Sequence, residues 1–102
     1  MLSKLFAEMF GTFVFLGIIL ATGDALPIAI GLMAAILLVG KISGANLNPA
    51  VSTMLWAKGD LSASTWAVYV FAQLAGGLLA LAWYKASAPA TIRPHKIFYN
   101  LD

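Results

Sequence analysis

One polar run interrupts a chain that is otherwise apolar over most of its length: Ser43, Gly44, Ala45, Asn46, Leu47, Asn48, Pro49, Ala50, Val51, Ser52. Its Asn-Pro-Ala triplet restricts the fold severely. Proline lacks an N–H, so it suits a first helical position, and the asparagine before it can cap the helix with its side-chain oxygen. The triplet therefore reads as a helix start, and the apolar sequence on both sides places that start inside a membrane.

The solvent is set by composition. Hydrophobic residues make up 62% of the 102 and charged residues 10%, with a mean hydropathy of +0.93, far outside the range of soluble domains. All six basic residues, and the acids Asp24, Asp60 and Asp102, fall near segment ends or in loops, which leaves Glu8 as the one charge well inside a span. The net charge of +2 therefore carries no indication of nucleic acid as a partner. With no cysteine there is no disulfide framework and no thiol chemistry.

Three spans and one shorter stretch follow along the chain. The first span, residues 5–22, has the length that crosses a hydrocarbon core of roughly 30 Å. A signal-peptide reading, with Lys4 as the basic end and Ala21, Thr22 and Gly23 as a cleavage site, is opposed by Glu8 and by the spans that follow. A tight turn at Gly23 to Ala25 precedes the second span, residues 27–40, with Pro27 in its first turn. At about 21 Å that span is short for a full crossing. Residues 41–57 complete the slab as a loop that dips into the membrane and returns as a half-helix from Pro49, stopped at Lys58 and Gly59. Irregular backbone at that depth is tolerated only in contact with protein or a wet cavity. The third span, residues 65–84, is bracketed by Trp66 and Tyr69 at one end and by Trp83 and Tyr84 at the other, as interfacial belts require. Residues 1–85 thus form one membrane unit, and residues 86–102 a solvated tail in which His95 is a surface residue rather than a metal ligand. The fold class is an all-α membrane protein: three transmembrane helices plus one re-entrant half-helix, a multi-pass protein of a plasma or inner membrane.

With its oxygen capping the helix, Asn48 keeps its amide NH2 free to donate. The helix end adds partial positive charge that disfavours cations, and an extended backbone over Gly44, Ala45, Asn46 and Leu47 supplies carbonyl acceptors. Together these suit a neutral, hydrogen-bonding permeant. Glu8 is a functional candidate because an acid inside a span is costly; a pairing with Lys4 one turn earlier is the alternative. Small residues at four-residue spacing, Ala72, Gly76 and Ala80, and again Ala7 and Gly11, allow close helix approach.

Gly40 to Ser52 resembles the first signature loop of the major intrinsic protein family, the aquaporins and glycerol facilitators. Ala7 to Thr12 resembles that family's first-helix motif, and Ala72 to Gly76 its third-helix motif. The resemblance implies that Asn48, Pro49 and Ala50 form the tip of the half-helix, with Asn48 as lumen donor. It also implies that Glu8 and Gln73 are buried groups holding the re-entrant loop, although a glutamine can equally bridge two helices. The expected activity is passive transport of water or small neutral solutes such as glycerol, with no catalysis, cofactor or metal.

The departures from the family are informative. Its members resemble two inverted halves in tandem, each with an Asn-Pro-Ala half-helix, whereas this chain has the first. Where the second loop of the family carries an arginine after the triplet, this chain has Val51, and Asn46 stands where histidine is common. One half cannot surround a pore. Lys4, Lys41 and Lys58 fall on one side and Lys85, Arg93 and Lys96 on the other, a balance that leaves orientation open. The expected partners are the lipid bilayer and a second copy inserted upside down, or a complementary half-channel chain. A non-conducting scaffold or regulatory partner of a full-length channel is the reading from another class.

Overall fold

The computed structural model describes residues 1–87, and those residues are helical apart from short connections. Four helices follow one another: α1 (Leu2–Thr22), α2 (Ala25–Ser43), α3 (Pro49–Lys58) and α4 (Ala63–Ser87). Three of them, α1, α2 and α4, are long and apolar enough to cross a membrane. The described residues are all-helical, with three candidate spans and one short helix, the architecture that the resemblance implies. Of the tail expected at 86–102, the first two residues belong to α4. The remainder, including His95, lies outside the described residues.

α1 ends where Gly23 turns left-handed (φ 64°) and its N–H reaches the carbonyl of Ile19. Two residues, Gly23 and Asp24, then suffice to reverse the chain. α2 differs from the short span expected from sequence. It begins two residues before Pro27 and continues past Gly40 for another three, giving 19 residues and about 28 Å. The stop is at Gly44, whose φ of 89° lets its N–H close on the Gly40 carbonyl at 2.8 Å. Gly40 is an ordinary helical residue; in a membrane helix glycine serves packing as readily as termination. The second span is therefore long enough to cross by itself.

Packing is apolar outside and tight inside. Leu26, Leu37, Leu38 and Phe71 are exposed on the outer faces, the pattern of a lipid-facing surface. Inside, Ala7, Ala35, Val39 and Leu47 form the buried cluster. The α1–α4 crossing is closest at Gly76, where an added Cβ would stand 2.5 Å from the Met9 carbonyl oxygen and 3.2 Å from the Phe13 nitrogen. Ala72 and Ala80, one turn to either side, are fully buried. The small-residue stripe thus lies along a contact of backbone against backbone, which only residues of that size permit.

The aromatic brackets divide. Trp83 meets Phe13 edge to face across the α1–α4 seam, with ring centroids 6.3 Å apart. Tyr69, assigned from sequence to an interfacial belt, is instead buried, and its hydroxyl donates to the Ser43 carbonyl at the end of α2.

Candidate functional site

The half-helix α3 is ten residues long, about 15 Å. Its cap is local: Asn48 is extended (φ −158°, ψ 126°) and its Oδ1 accepts from the Ala50 N–H at 2.7 Å. The Asn48 carbonyl accepts the first helical bond, from Ser52 N–H. That geometry leaves the Asn48 Nδ2 group without a partner among the described residues, on an exposed side chain. Asn48 shares a groove with Thr12 and Leu16 of α1 and with Gln73, Leu74 and Gly77 of α4. These positions lie near the middle of their helices, so the half-helix tip stands near mid-depth of the bundle.

The loop leading to the tip is not extended. Gly44, Ala45 and Leu47 all have positive φ, at 89°, 50° and 57°. For Ala45 and Leu47 this left-handed conformation is unfavourable by roughly 1–2 kcal/mol each, so something must impose it. Four donors converge on Glu8, which is fully buried. Its Oε2 accepts from Ser43 Oγ at 2.6 Å and from Asn46 N–H at 3.0 Å. Its Oε1 accepts from Leu47 N–H at 2.9 Å and from Gln73 Nε2 at 2.8 Å. A carboxylate offers about four such acceptor positions, and here each holds a donor. The Leu47 side chain, 2% exposed, packs where Gly11 leaves room for it, since a Cβ on Gly11 would stand 2.6 Å from Leu47 Cδ2. Glu8 therefore bonds the loop backbone and α4, with no ion pair to Lys4.

Ser52 is the second junction, and the sequence gives it no prominence. It is fully buried on α3, and its Oγ accepts from Gln73 Nε2 at 2.8 Å and from Asn46 Nδ2 at 3.0 Å. Gln73 thus spans from α1 to the half-helix. Ser43 and Tyr69 were likewise missed. Ser43 Oγ receives the Ala45 N–H while donating to Glu8, and Tyr69 bonds the Ser43 carbonyl. The available signal was weak: serines four residues after Asn48 and immediately before Gly44, and a tyrosine one helical turn before Gln73. Farther out, Trp66 Nε1 donates to Thr53 Oγ1 at 2.9 Å, and its ring stacks on Trp56 at 4.4 Å. The half-helix is held at its mouth by Glu8, Gln73 and Ser52, and near its outer end by the tryptophan pair.

The expected site residues thus fall into two groups. Glu8, Asn46, Leu47 and Gln73 meet in one hydrogen-bonded node, with Asn48, Pro49 and Ala50 at its edge. Ala72, Gly76 and Ala80 stand apart along the α1–α4 crossing, while Ala7 and Gly11 face the buried cluster and the loop. The carbonyls of Gly44, Ala45, Asn46 and Leu47 accept no hydrogen bond from any described residue. Among the described residues no cluster of His, Cys, Asp or Glu could hold a metal.

Comparison with known proteins places this sequence in a lineage. The sequence model of the major intrinsic proteins matches residues 1–100. Aquaporin Z of Photorhabdus laumondii is 36% identical over 97 residues, covering 80% of this chain and 42% of that protein. The glycerol uptake facilitator protein-like 6 of Lactiplantibacillus plantarum is 36% identical over 96 residues, covering 85% of this chain and 44% of its own length. Aquaporin-3 of the tardigrade Milnesium tardigradum is 45% identical over 61 residues, 60% of this chain and 18% of its own. The chain spans less than half the length of these relatives. No solved structure gives a significant match. A match across nearly the whole sequence, on three apolar spans and a capped half-helix, makes this chain a member of the major intrinsic protein family, integral to the membrane.

Proposed function

We propose that the chain supplies one half of a channel that passes water or small neutral solutes such as glycerol, and that a second copy inserted the other way up supplies the other half. The observation that carries the reading is the half-helix tip. An uncommitted Asn48 NH2 stands near mid-depth, beside a loop whose carbonyls are unbonded, and the loop is held rigid by Glu8, Gln73 and Ser52. Donor and acceptors side by side replace the hydration of a neutral permeant, while the positive helix end disfavours cations. In this reading Asn48, Pro49 and Ala50 are the pore residues, the carbonyls of 44–47 the acceptor row, and Glu8 and Gln73 the supports. Ala7, Gly11, Ala72, Gly76 and Ala80 set the distance between elements.

An upside-down pair is supported by the even division of basic residues between the two sides, and it parallels the inverted repeats of single-chain transporters. In such a pair no arginine follows either triplet, because position 51 is valine. The channel then discriminates weakly at its mouths.

Vesicles reconstituted with this chain as their sole protein test the proposal. Swelling in water and in glycerol should exceed that of empty vesicles, and Asn48→Asp should remove most of the excess by replacing the donor amide with a carboxylate. Labelling of each terminus from outside should mark both ends. Permeability equal to that of empty vesicles refutes a self-sufficient pore, and one-sided labelling refutes the inverted pair. A proton leak no greater than in empty vesicles, joined to strict exclusion of glycerol, contradicts the weak discrimination expected from Val51.

A further inference from the structure

Ser52 is fully buried, so its hydroxyl must find its hydrogen bonds inside the protein. A hydroxyl can accept twice, but it also has one hydrogen to give. As the side chains stand, both partners of Ser52 Oγ are NH2 groups, Gln73 Nε2 at 2.8 Å and Asn46 Nδ2 at 3.0 Å. An NH2 group only donates. The Ser52 hydrogen is then left with no acceptor among the described residues, on a side chain that water does not reach.

One of the two amides has to offer its oxygen instead. Gln73 is held as it is. Its Nε2 also donates to Glu8 Oε1 at 2.8 Å, and turning it over would set an amide oxygen against a carboxyl oxygen that already accepts from Leu47 N–H. Asn46 is free to turn. The two ends of an amide have nearly the same shape, and the Asn46 backbone N–H keeps its bond to Glu8. The 3.0 Å contact also lies within the range of an O–H to oxygen bond. With Asn46 turned, Gln73 donates to Glu8 and Ser52, and Ser52 donates to Asn46 Oδ1. Every hydrogen of the network then has an acceptor.

The turn carries the Asn46 NH2 to the place that Oδ1 now occupies, 3.7 Å from where a Cβ on Gly44 would stand. No described residue bonds that place. It is nevertheless not buried: the buried side-chain atoms that lack a partner among the described residues are Thr12 Oγ1 and Gln73 Oε1.

We infer that Asn46 gives its oxygen to Ser52 and presents its NH2 on the open side of the loop, as a binding group for the oxygen of water or of a small polyol. Asn48 is thereby joined by a second amide donor, one residue short of the half-helix start. The identity of the occupant rests on the channel reading. The direction of the amide does not, and it is measured without any flux.

The test begins with two ¹³C–¹⁵N couplings in the full chain in lipid vesicles, both read at Ser52 Cβ. Dipolar coupling falls as the cube of distance, so Asn46 Nδ2, at the far end of its amide, should couple about half as strongly as Gln73 Nε2 or less. Equal couplings overturn the inference. Magnetisation from water should reach Asn46 Nδ2 early and Gln73 Nε2 late, and an Asn46 nitrogen as dry as that of Gln73 overturns the binding role. In D2O with protonated glycerol, transfer to the Asn46 carboxamide identifies a polyol as occupant; a water signal alone assigns the site to water, and neither signal overturns it. Asn46→Asp keeps an oxygen for Ser52 and replaces the outer NH2 by a second oxygen. It should lower the permeability to the occupant about tenfold, the loss of one hydrogen bond, with the Leu47 amide still slow to exchange. Unchanged permeability in vesicles that conduct overturns the part given to Asn46. A turned and wet Asn46 in vesicles that do not conduct defeats the channel reading and leaves the site standing.

Discussion

Two of the contacts in this small bundle use opposite chemistry. Along the α1–α4 crossing the contact is made by what side chains lack: Gly76, Ala72 and Ala80 let one backbone lie on another. At the loop the contact is made by one long polar side chain, Glu8, which satisfies four donors at once. In a membrane, apolar surface gains little by leaving lipid, so helices associate through close packing and buried hydrogen bonds. The comparison shows the two being used for different tasks. Packing fixes the distance between regular elements, whereas the carboxylate fixes the conformation of an irregular one, which has no helix of its own to satisfy its N–H groups.

The largest separation of the two should come from Glu8→Ala. It strips the acceptor from Ser43, Asn46, Leu47 and Gln73, and unsatisfied buried donors cost about 1–3 kcal/mol each before relaxation. We expect roughly 3 kcal/mol or more of lost stability, with hydrogen exchange accelerated at Asn46 and Leu47 while the amides of α1 and α4 stay protected. Equal loss of protection at both places breaks the distinction. Gly76→Val attacks the other contact, driving a side chain into the Met9 carbonyl, and overpacking of this kind costs roughly 1–3 kcal/mol. Its signature in unfolding from detergent micelles is a lower stability, with the distance between α1 and α4 increased by spin labels and the Asn46 and Leu47 amides still slow.

Two smaller effects sharpen the picture of the loop. Ala45→Gly relieves a left-handed alanine and should stabilise the chain by about 1 kcal/mol, the usual difference for that conformation. A destabilised variant in the same unfolding assay shows that the Ala45 methyl group matters more than its backbone. Trp66→Phe removes the hydrogen bond to Thr53 and keeps a ring against Trp56, so a loss of about 0.5–1 kcal/mol is expected. Its effect on Asn46 and Leu47 exchange should be slight, because those amides are held at the other end of the half-helix.

Different parts of this architecture were legible in the sequence for different reasons. The spans announce themselves by composition, and the half-helix by Asn48 and Pro49, because capping is local chemistry confined to a few neighbouring residues. Glu8 stands out because a charge inside an apolar stretch has few affordable explanations. Ser43, Ser52 and Tyr69 do not stand out: a serine hydroxyl in a helix can satisfy itself on its own backbone, and a tyrosine near a span end reads equally well as an interfacial aromatic, so their partners are decided only once the loop folds over α1. The end of α2 is less legible, because Gly40 and Gly44 are equally plausible stops on sequence alone. The choice falls on Gly44, where left-handed geometry, the Ser43 hydroxyl and the Tyr69 bond to the Ser43 carbonyl coincide. The loop backbone departs from the extended form expected of it for a similar reason, since the positive φ values at Ala45 and Leu47 occur on residues with no intrinsic preference for them.

The two-residue turn at Gly23 and Asp24 bears on how the protein is made. Nothing larger than one aspartate side chain and a glycine separates the ends of α1 and α2, so the pair can enter a bilayer as a helical hairpin. On the far side that hairpin must deliver a single carboxylate and no basic residue. In the orientation that sends this turn across the bilayer, the Asp24 carboxylate is the one charged group the turn carries with it.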